Sequence, residues 1–394
     1  MLQKMRKTEK LKVGLATLAV SQNLGDRMIF EVEEKAIISE GYGLIRIDLA
    51  NEEADSLPSA RVSSFFRKKF LEYFRDFLGA IISIYSIKKG AYSDVIERFE
   101  RQISEVDVLV VGGGQLLTAG MYGRLKRLIE FAESLKTPIL IYAVGVDTKL
   151  SLIDRFMYKQ LLRSAKFTSV RGRKSQNLLA STKGLFEGFE AKILLDPVFF
   201  RRSLENLHKL KNSSKGKCGL NIICYEDLNH GSTGVFDETK YLSCLIRLII
   251  TISKQSKIGL YTNGSKKDFL YAEKLMTKLP TNENIYLCDR PEQTRDLECL
   301  VSSFELNLCF RMHAAILAAS LGCDFIIFCW DEKIDEVFDS AGLSHHVVGL
   351  KELNNDFNFS EMIKKASLRQ AKFDTQNSLK ILLKEINVYK QRLN

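Results

Sequence analysis

The amino-acid sequence predicts an α/β protein of two doubly wound, Rossmann-like domains. Three observations predict it. Short, near-continuous apolar runs alternate with longer amphipathic segments along the whole chain, the pattern of parallel strands covered by helices on both faces. The length, 394 residues, suits about two domains. A polar stretch at 203–217 (SLENLHKLKNSSKGK) separates an earlier series of strands from a later one.

In the first series the strand-like runs are Leu11–Val20, Gly43–Leu49, Val106–Val111, Ile139–Val144, Phe167–Val170 and Ile193–Leu195. In the second they are Gly219–Cys224, Ile258–Thr262, Ile285–Cys288, Leu306–Cys309 and Phe325–Phe328. Helical periodicity marks Asp26–Glu40, Tyr122–Lys136, Lys240–Lys254, Phe269–Leu279, His313–Leu321 and Lys333–Ala341 between them. These elements divide the chain into a first domain at 1–202, a linker at 203–217, a second domain at 218–358 and a C-terminal helical segment at 359–394. Two such domains facing a cleft, closed by a C-terminal helix, form the glycosyltransferase-B layout. There, ligands bind outside the carboxyl ends of the strands, so residues in loops that follow strands are the candidates for chemistry.

A net charge of +10 favours anionic partners such as phosphates, acidic glycans or an anionic membrane face. No basic run interleaved with aromatics marks a nucleic-acid groove, and no apolar stretch reaches a membrane span. The polar, basic start lacks the features of a secretory leader, so the expected location is the cytoplasm or its membrane face. All eight cysteines lie in the second half without a C-x-x-C pair, which predicts buried, reduced thiols. No metal-ligand spacing is visible. Phe65–Lys89 mixes aromatics, basic residues and a short apolar core; it reads as a core helix followed by a strand, or as a membrane-surface helix drawn to anionic lipid.

The strand-end loops carry the candidate site. Cys309-Phe310-Arg311-Met312-His313 leaves a strand and enters an alanine-rich helix. A helix start offers free N–H groups, Arg311 a planar fork for an anion, and His313 a proton near neutral pH. Asp26, after Asn23-Leu24-Gly25, follows the first strand as a helix cap or a ligand-facing carboxylate. Gly112-Gly113-Gly114 ends a buried strand and lets a backbone or ligand approach closely. Gly145 and Asp147 end the next strand, Arg171 the one after, and Asp196-Pro197 the last. Trp330-Asp331-Glu332-Lys333 follows the strand after the His313 helix, which predicts Lys333 near Arg311 and His313.

In this order, Asn23-x-Gly25-Asp26, Gly112-Gly113-Gly114, Val170-Arg171-x-x-x-Ser175, Asp196-Pro197, Arg311-x-His313 and Trp330-Asp331-x-Lys333 resemble the polysaccharide pyruvyl transferase family over Val13 to Leu343. Trp330 stands where a tyrosine is expected, and Cys323-Asp324 where the family often has proline. The resemblance implies transfer of pyruvate from phosphoenolpyruvate to a glycan or lipid-linked sugar as a ketal, with no cofactor. It implies Arg171, His313 and Lys333 as ligands of phosphoenolpyruvate with Arg311 beside them, and a general acid and base such as His313 and Asp26. Asp147 is a second candidate base, and Gly112, Gly113 and Gly114 are candidate substrate contacts; the first domain is the expected acceptor side and the second the expected phosphoenolpyruvate side. A nucleotide-sugar glycosyltransferase of the same architecture is the alternative, with Glu332 or Asp335 as ribose ligands. A non-catalytic anion-binding protein is the third reading.

Overall fold

The computed structural model describes residues 10–49, 93–180, 190–205, 216–231, 237–354, 366 and 377–393. The segment Phe65–Lys89 lies outside the described residues.

In chain order the first part comprises β1 (Lys12–Thr17), α1 (Leu24–Ser39), β2 (Gly43–Asp48), α2 (Ser93–Ile103), β3 (Val108–Val111), β4 (Gly114–Leu117), α3 (Tyr122–Ser134), β5 (Ile139–Val146), α4 (Leu152–Leu162), β6 (Phe167–Val170), α5 (Arg173–Ala180) and β7 (Lys192–Ile193). The strands form one parallel sheet in the order β2-β1-β3-β5-β6-β7, with β4 also paired to β5. The order reverses between β1 and β3, the topological switch point of a flavodoxin-like sheet. The apolar strands bury both faces, and helices such as α1, through Met28, Ile29, Val32, Ala36 and Ile37, cover them.

The glycine run does not turn into a helix. It interrupts a strand: β3 pairs with β5 up to Val111↔Ile141, and β4 resumes at Gly114↔Val144. Opposite the interruption β5 shifts register between Ile141 and Val144, and Ala143 takes a left-handed φ of 48°. That bulge carries β5 on to Val146, beyond the expected end at Val144.

The second part begins with a 3-10 turn at Pro197–Phe200 and continues through α6 (Arg201–Glu205), β8 (Lys217–Asn221), α7 (Tyr225–Gly231), α8 (Glu238–Ser253), β9 (Lys257–Tyr261), α9 (Lys266–Met276), β10 (Ile285–Leu287), α10 (Thr294–Ser303), β11 (Leu306–Cys309), α11 (Met312–Leu321), β12 (Asp324–Cys329), α12 (Glu332–Ser340) and β13 (Val347–Gly349). Its parallel sheet has the order β10-β9-β8-β11-β12-β13, the doubly wound dinucleotide-fold order, with the reversal between β8 and β11. Every residue of α11 is buried, and its sequence is accordingly apolar nearly all round, alanines alternating with Met312, Ile316, Leu317 and Leu321. The helix ends at Gly322, whose φ of 73° supplies the left-handed cap. A final helix, α13 (Asn377–Leu393), follows.

Contacts group the chain into two compact units: residues 1–20, 29–196 and 376–394, and residues 21–28 with 197–375. The changeover lies at Asp196–Pro197 rather than in the expected linker 203–217. Its physical cause is local. Val198, Phe199 and Phe200 are buried, Phe199 meets Phe338 edge to face, and Arg201 makes a buried ion pair with Glu298 at 2.5 Å. Ser203 is helical and Lys217 opens β8, and positions 206–215 of the expected linker lie outside the described residues. The N-terminal turn of α1 groups with the second unit, and α13 with the first.

No described helix is long and apolar enough to cross a membrane. None of the eight cysteines forms a disulfide. The expected burial holds for Cys218, Cys224, Cys244 and Cys309, but Cys299 is exposed and Cys288, Cys323 and Cys329 are half-buried. Cys299 sits on a helix whose apolar stripe points the other way, through Leu297 and Val301.

Candidate functional site

In the second unit the site forms at the switch point, where β8 and β11 end. Asn221, the last residue of β8, accepts the Arg311 backbone N–H at 2.9 Å and donates to the Asn263 side chain at 3.0 Å. This ties the ends of three neighbouring strands together. The Arg311 guanidinium is clamped from two sides. Nε donates to Asp268 at 2.8 Å, and a terminal nitrogen donates to Asp268 at 2.7 Å and to Asp227 at 2.5 Å. Burial by itself would lower the Arg311 pKa; the Asp268 and Asp227 carboxylates outweigh it and raise it. The resemblance sets Arg311 beside the donor ligands, as a substrate contact or as a residue that holds its surroundings in place. Its fork is filled by protein carboxylates, so it fixes the entry to α11.

Cys224, Asp227 and Asp268 place ligand atoms within 4.8 Å of one another. Burial pushes the Cys224 thiol up to about 12, so it is a poor metal ligand at neutral pH, and both carboxylates already face Arg311. The cluster is the clamp of that arginine.

His313, the second residue of α11, is 7% exposed. Its ring lies against Gly25: a Cβ there would fall 2.2 Å from Nδ1. The N-terminal turn of α1 is held in place around it. The Leu24 N–H donates to the Asn263 carbonyl at 3.1 Å, and Arg27 donates to the Glu292 carbonyl at 3.0 Å and to Gln293 at 2.9 Å. Asp26 follows Gly25 directly, and Ser21 Oγ donates to its carboxylate at 3.1 Å. His313 and Asp26, 287 positions apart in numbering, are thus brought to one loop cluster with two helix N-termini.

Trp330 couples the next strand end to this cluster. Its indole N–H donates to the Phe310 carbonyl at 2.6 Å, immediately before Arg311. Lys333 Nζ lies 5.2 Å from the centre of the Trp330 ring and 3.2 Å from Asp331, whose other oxygen caps the helix at the Lys333 N–H. The Lys333 side chain remains 25% exposed. Trp330 thus links the turn before Lys333 to the Phe310 carbonyl that precedes Arg311.

In the first unit, Arg171 follows β6 and pairs with Asp196 at 3.2 Å; both are buried. Gly145 makes room for it, since a Cβ there would meet its guanidinium at 2.7 Å. Gly113 donates its N–H to Glu33 Oε1 at 2.8 Å, and a Cβ on Gly112 would fall 2.0 Å from Glu33 Oε2. The glycine run thus approaches an internal carboxyl group. Gly114 has a φ of 84°, a position that requires glycine. Asp147 donates its N–H to the Leu117 carbonyl, and its side chain accepts from the Lys149 N–H at 3.0 Å, an Asx turn that leaves it half-buried.

The candidates therefore fall into two sets, each within its own unit: His313, Asp26, Arg311 and Lys333; and Arg171, Gly112, Gly113, Gly114 and Asp147. Glu33, Asn221, Asp227 and Asp268 were missed. Glu33 carried a signal, an acid on the apolar stripe of α1 next to Ile29, Val32, Ala36 and Ile37. Asp227 and Asp268, at 84 and 43 residues from Arg311, carried none.

Among solved structures, the chain is similar to UDP-GlcNAc 2-epimerase from Methanocaldococcus jannaschii, with a TM-score of 0.56, 14% identity and coverage of 96% of this chain and 99% of that one. It is also similar to MnaA of S. aureus in complex with UDP, with a TM-score of 0.55, 11% identity and coverage of 97% of both chains. At such identity the likeness is one of fold, the two parallel-sheet domains of the glycosyltransferase-B type. No curated protein sequence matches the chain. The sequence model of polysaccharide pyruvyl transferases matches residues 23–332, from the turn that seats His313 to the helix that carries Lys333. With most of its length matched, and with the Arg-x-His and Trp-Asp-x-Lys loops joined at one sheet edge, the chain belongs to the polysaccharide pyruvyl transferase family.

Proposed function

We propose that this protein transfers pyruvate from phosphoenolpyruvate to a sugar of a surface-polysaccharide precursor, forming a ketal on two hydroxyls. The observation that carries the reading is the seating of His313 between the N-terminal turns of α11 and α1, with Asp26 following the Gly25 that it packs against and Lys333 on the first turn of α12. Helix N-termini and a lysine suit the phosphate and carboxylate of the donor. A histidine there can give a proton to the enol carbon, turning the methylene into the methyl group. One sugar hydroxyl then bonds to the ketal carbon, the carbon–oxygen bond to phosphate breaks, and the second hydroxyl closes the ring. Of the two hydroxyl protons, one replaces that given by His313 and the other leaves with phosphate. Asp26 is the proposed base for a hydroxyl proton. Arg311 and Arg171 act through their carboxylate partners as positioning residues. The reaction draws on no bound cofactor.

The test measures acceptor-dependent phosphate release from phosphoenolpyruvate across a panel of lipid-linked and nucleotide-linked sugars. His313→Ala is expected to lower kcat by about 10²–10⁴-fold, the span of a lost acid–base group. Stabilisation by uridine diphosphate but not by phosphoenolpyruvate in thermal unfolding, with no phosphate release, would overturn the reading.

A further inference from the structure

The reaction proposed above leaves Glu33 without a task. It is fully buried, on the sheet-facing stripe of α1, at the carboxyl edge of the first sheet. A plain packing position there would hold an aliphatic residue, as Ile29, Val32, Ala36 and Ile37 do. Glu33 Oε1 accepts the Gly113 N–H at 2.8 Å, and Oε2 packs so closely on Gly112 that a methyl group there has no room. The two glycines are the interruption between β3 and β4, where pairing with β5 lapses while the Gly112 N–H still donates to the Ala16 carbonyl on β1 at 3.0 Å.

The charges around Glu33 can be counted. Asp196, after β7, is the carboxylate that faces it; Tyr142 on β5 is fully buried nearby, and its hydroxyl makes no hydrogen bond among the described residues. The buried cation, Arg171, is committed to Asp196. Glu33 forms no ion pair among the described residues, and its Oε2 accepts no hydrogen bond. Asp196 has Arg171 as its counter-charge, and an acid beside it with no ion pair of its own in a dry interior keeps its proton. The direction of its acidity agrees: burial raises the Glu33 pKa well above the usual carboxylate range, the Gly113 N–H opposes this, and Asp196 adds to it.

We propose that Glu33 is a positioning residue which, as a neutral acid, locks the Gly112–Gly114 interruption in shape for the sugar acceptor. The acceptor half of this statement rests on the reaction proposed above; the neutral acid and the locked backbone do not.

Three variants test it. Glu33→Gln keeps the shape, the neutrality and the Oε1 acceptor. Glu33→Ala and Glu33→Asp remove or withdraw the acceptor. Infrared difference spectra of wild type against Glu33→Gln at neutral pH should show a protonated carboxyl C=O stretch in the wild type alone. Amide exchange at Gly113 should quicken about tenfold in Glu33→Ala, the factor for one ordinary hydrogen bond, and stay as in wild type in Glu33→Gln. In turnover, Glu33→Ala and Glu33→Asp should raise the acceptor KM with the phosphoenolpyruvate KM unchanged, and Glu33→Gln should restore it. Absence of the carboxyl band, or unchanged exchange in Glu33→Ala, overturns the proposal whatever the reaction is. Damage in Glu33→Gln equal to that in Glu33→Ala shows that an ionised Glu33 is needed, and also overturns it. A wild type that releases no phosphate with any acceptor defeats the reaction while the spectra and exchange still decide the role of Glu33.

Discussion

At Gly25, the absence of one methyl group lets His313 take its position. The imidazole fills the space where a Cβ would stand, 2.2 Å from Nδ1. Gly25→Ala must therefore push the ring or the turn aside, and a displacement of about 1 Å at a reacting group costs on the order of 10²-fold. The expected outcome is a fall of that size in phosphate release with the thermal unfolding profile retained. Arg311 and Lys333 make the opposite contrast. Removing Arg311 strands two carboxylates, one of them fully buried, and Arg311→Ala is expected to cost about 3–5 kcal/mol in chemical denaturation. Lys333 is partly exposed and touches its own cap and an indole face, so Lys333→Ala should change stability by no more than about 0.5 kcal/mol while abolishing stabilisation by phosphoenolpyruvate. The sequence shows that these residues are cationic and follow strands. It does not show which cation is spent on protein carboxylates, because Asp227 and Asp268 arrive from other strand ends.

Among the elements, β5 departs furthest from its sequence pattern. Its apolar run reads as a plain buried strand, yet Ala143 adopts a φ of 48° inside it. Alanine has no preference for that region, so nothing in the local pattern announces the bulge. The bend is held from the neighbouring strand: Ser169 Oγ accepts the Ala143 N–H at 2.9 Å and donates to the Ile141 carbonyl at 3.3 Å. Ser169→Ala leaves a buried N–H without its acceptor and should cost about 1–3 kcal/mol, read as a shift in the urea midpoint. The bulge matters because it faces the Gly112–Gly113 interruption and sets Gly145 beneath Arg171. Strand identities in the second sheet are easier to read, since Leu306–Cys309 is apolar but for Asn307, Phe325–Phe328 is wholly apolar, and the two strands pair with each other. The short β4 and β13 are not, being four and three residues long with a glycine in each.

Over the whole molecule, one buried proton should leave a mark on stability. Because Glu33 has a raised pKa when folded, the native state holds its proton while the unfolded chain releases it above about pH 4.3. The stabilisation is complete below that pH and is lost as the pH rises towards the folded pKa, by up to about 1.4 kcal/mol per unit. Glu33→Gln does not titrate. Unfolding curves of the two proteins should run together at about pH 4 and diverge above it, with wild type falling behind; parallel curves to about pH 8 would contradict a neutral Glu33.

The order of residues is enough to read the α/β class, the two parallel sheets, the alternation that builds them and the strand ends followed by Asp26, Arg171, Arg311, His313 and Lys333. Period and hydrophobicity are local quantities, and they report which face of a segment is buried. The partners emerge from the folded chain alone: Asp196 for Arg171, Asp227 and Asp268 for Arg311, Gly25 for the His313 ring, and the glycine interruption for Glu33. In parallel sheets each strand end meets its neighbour only after a crossover through a helix, so residues that share a site are tens to hundreds of positions apart. A local pattern can declare a buried charge, but the fold chooses what neutralises it.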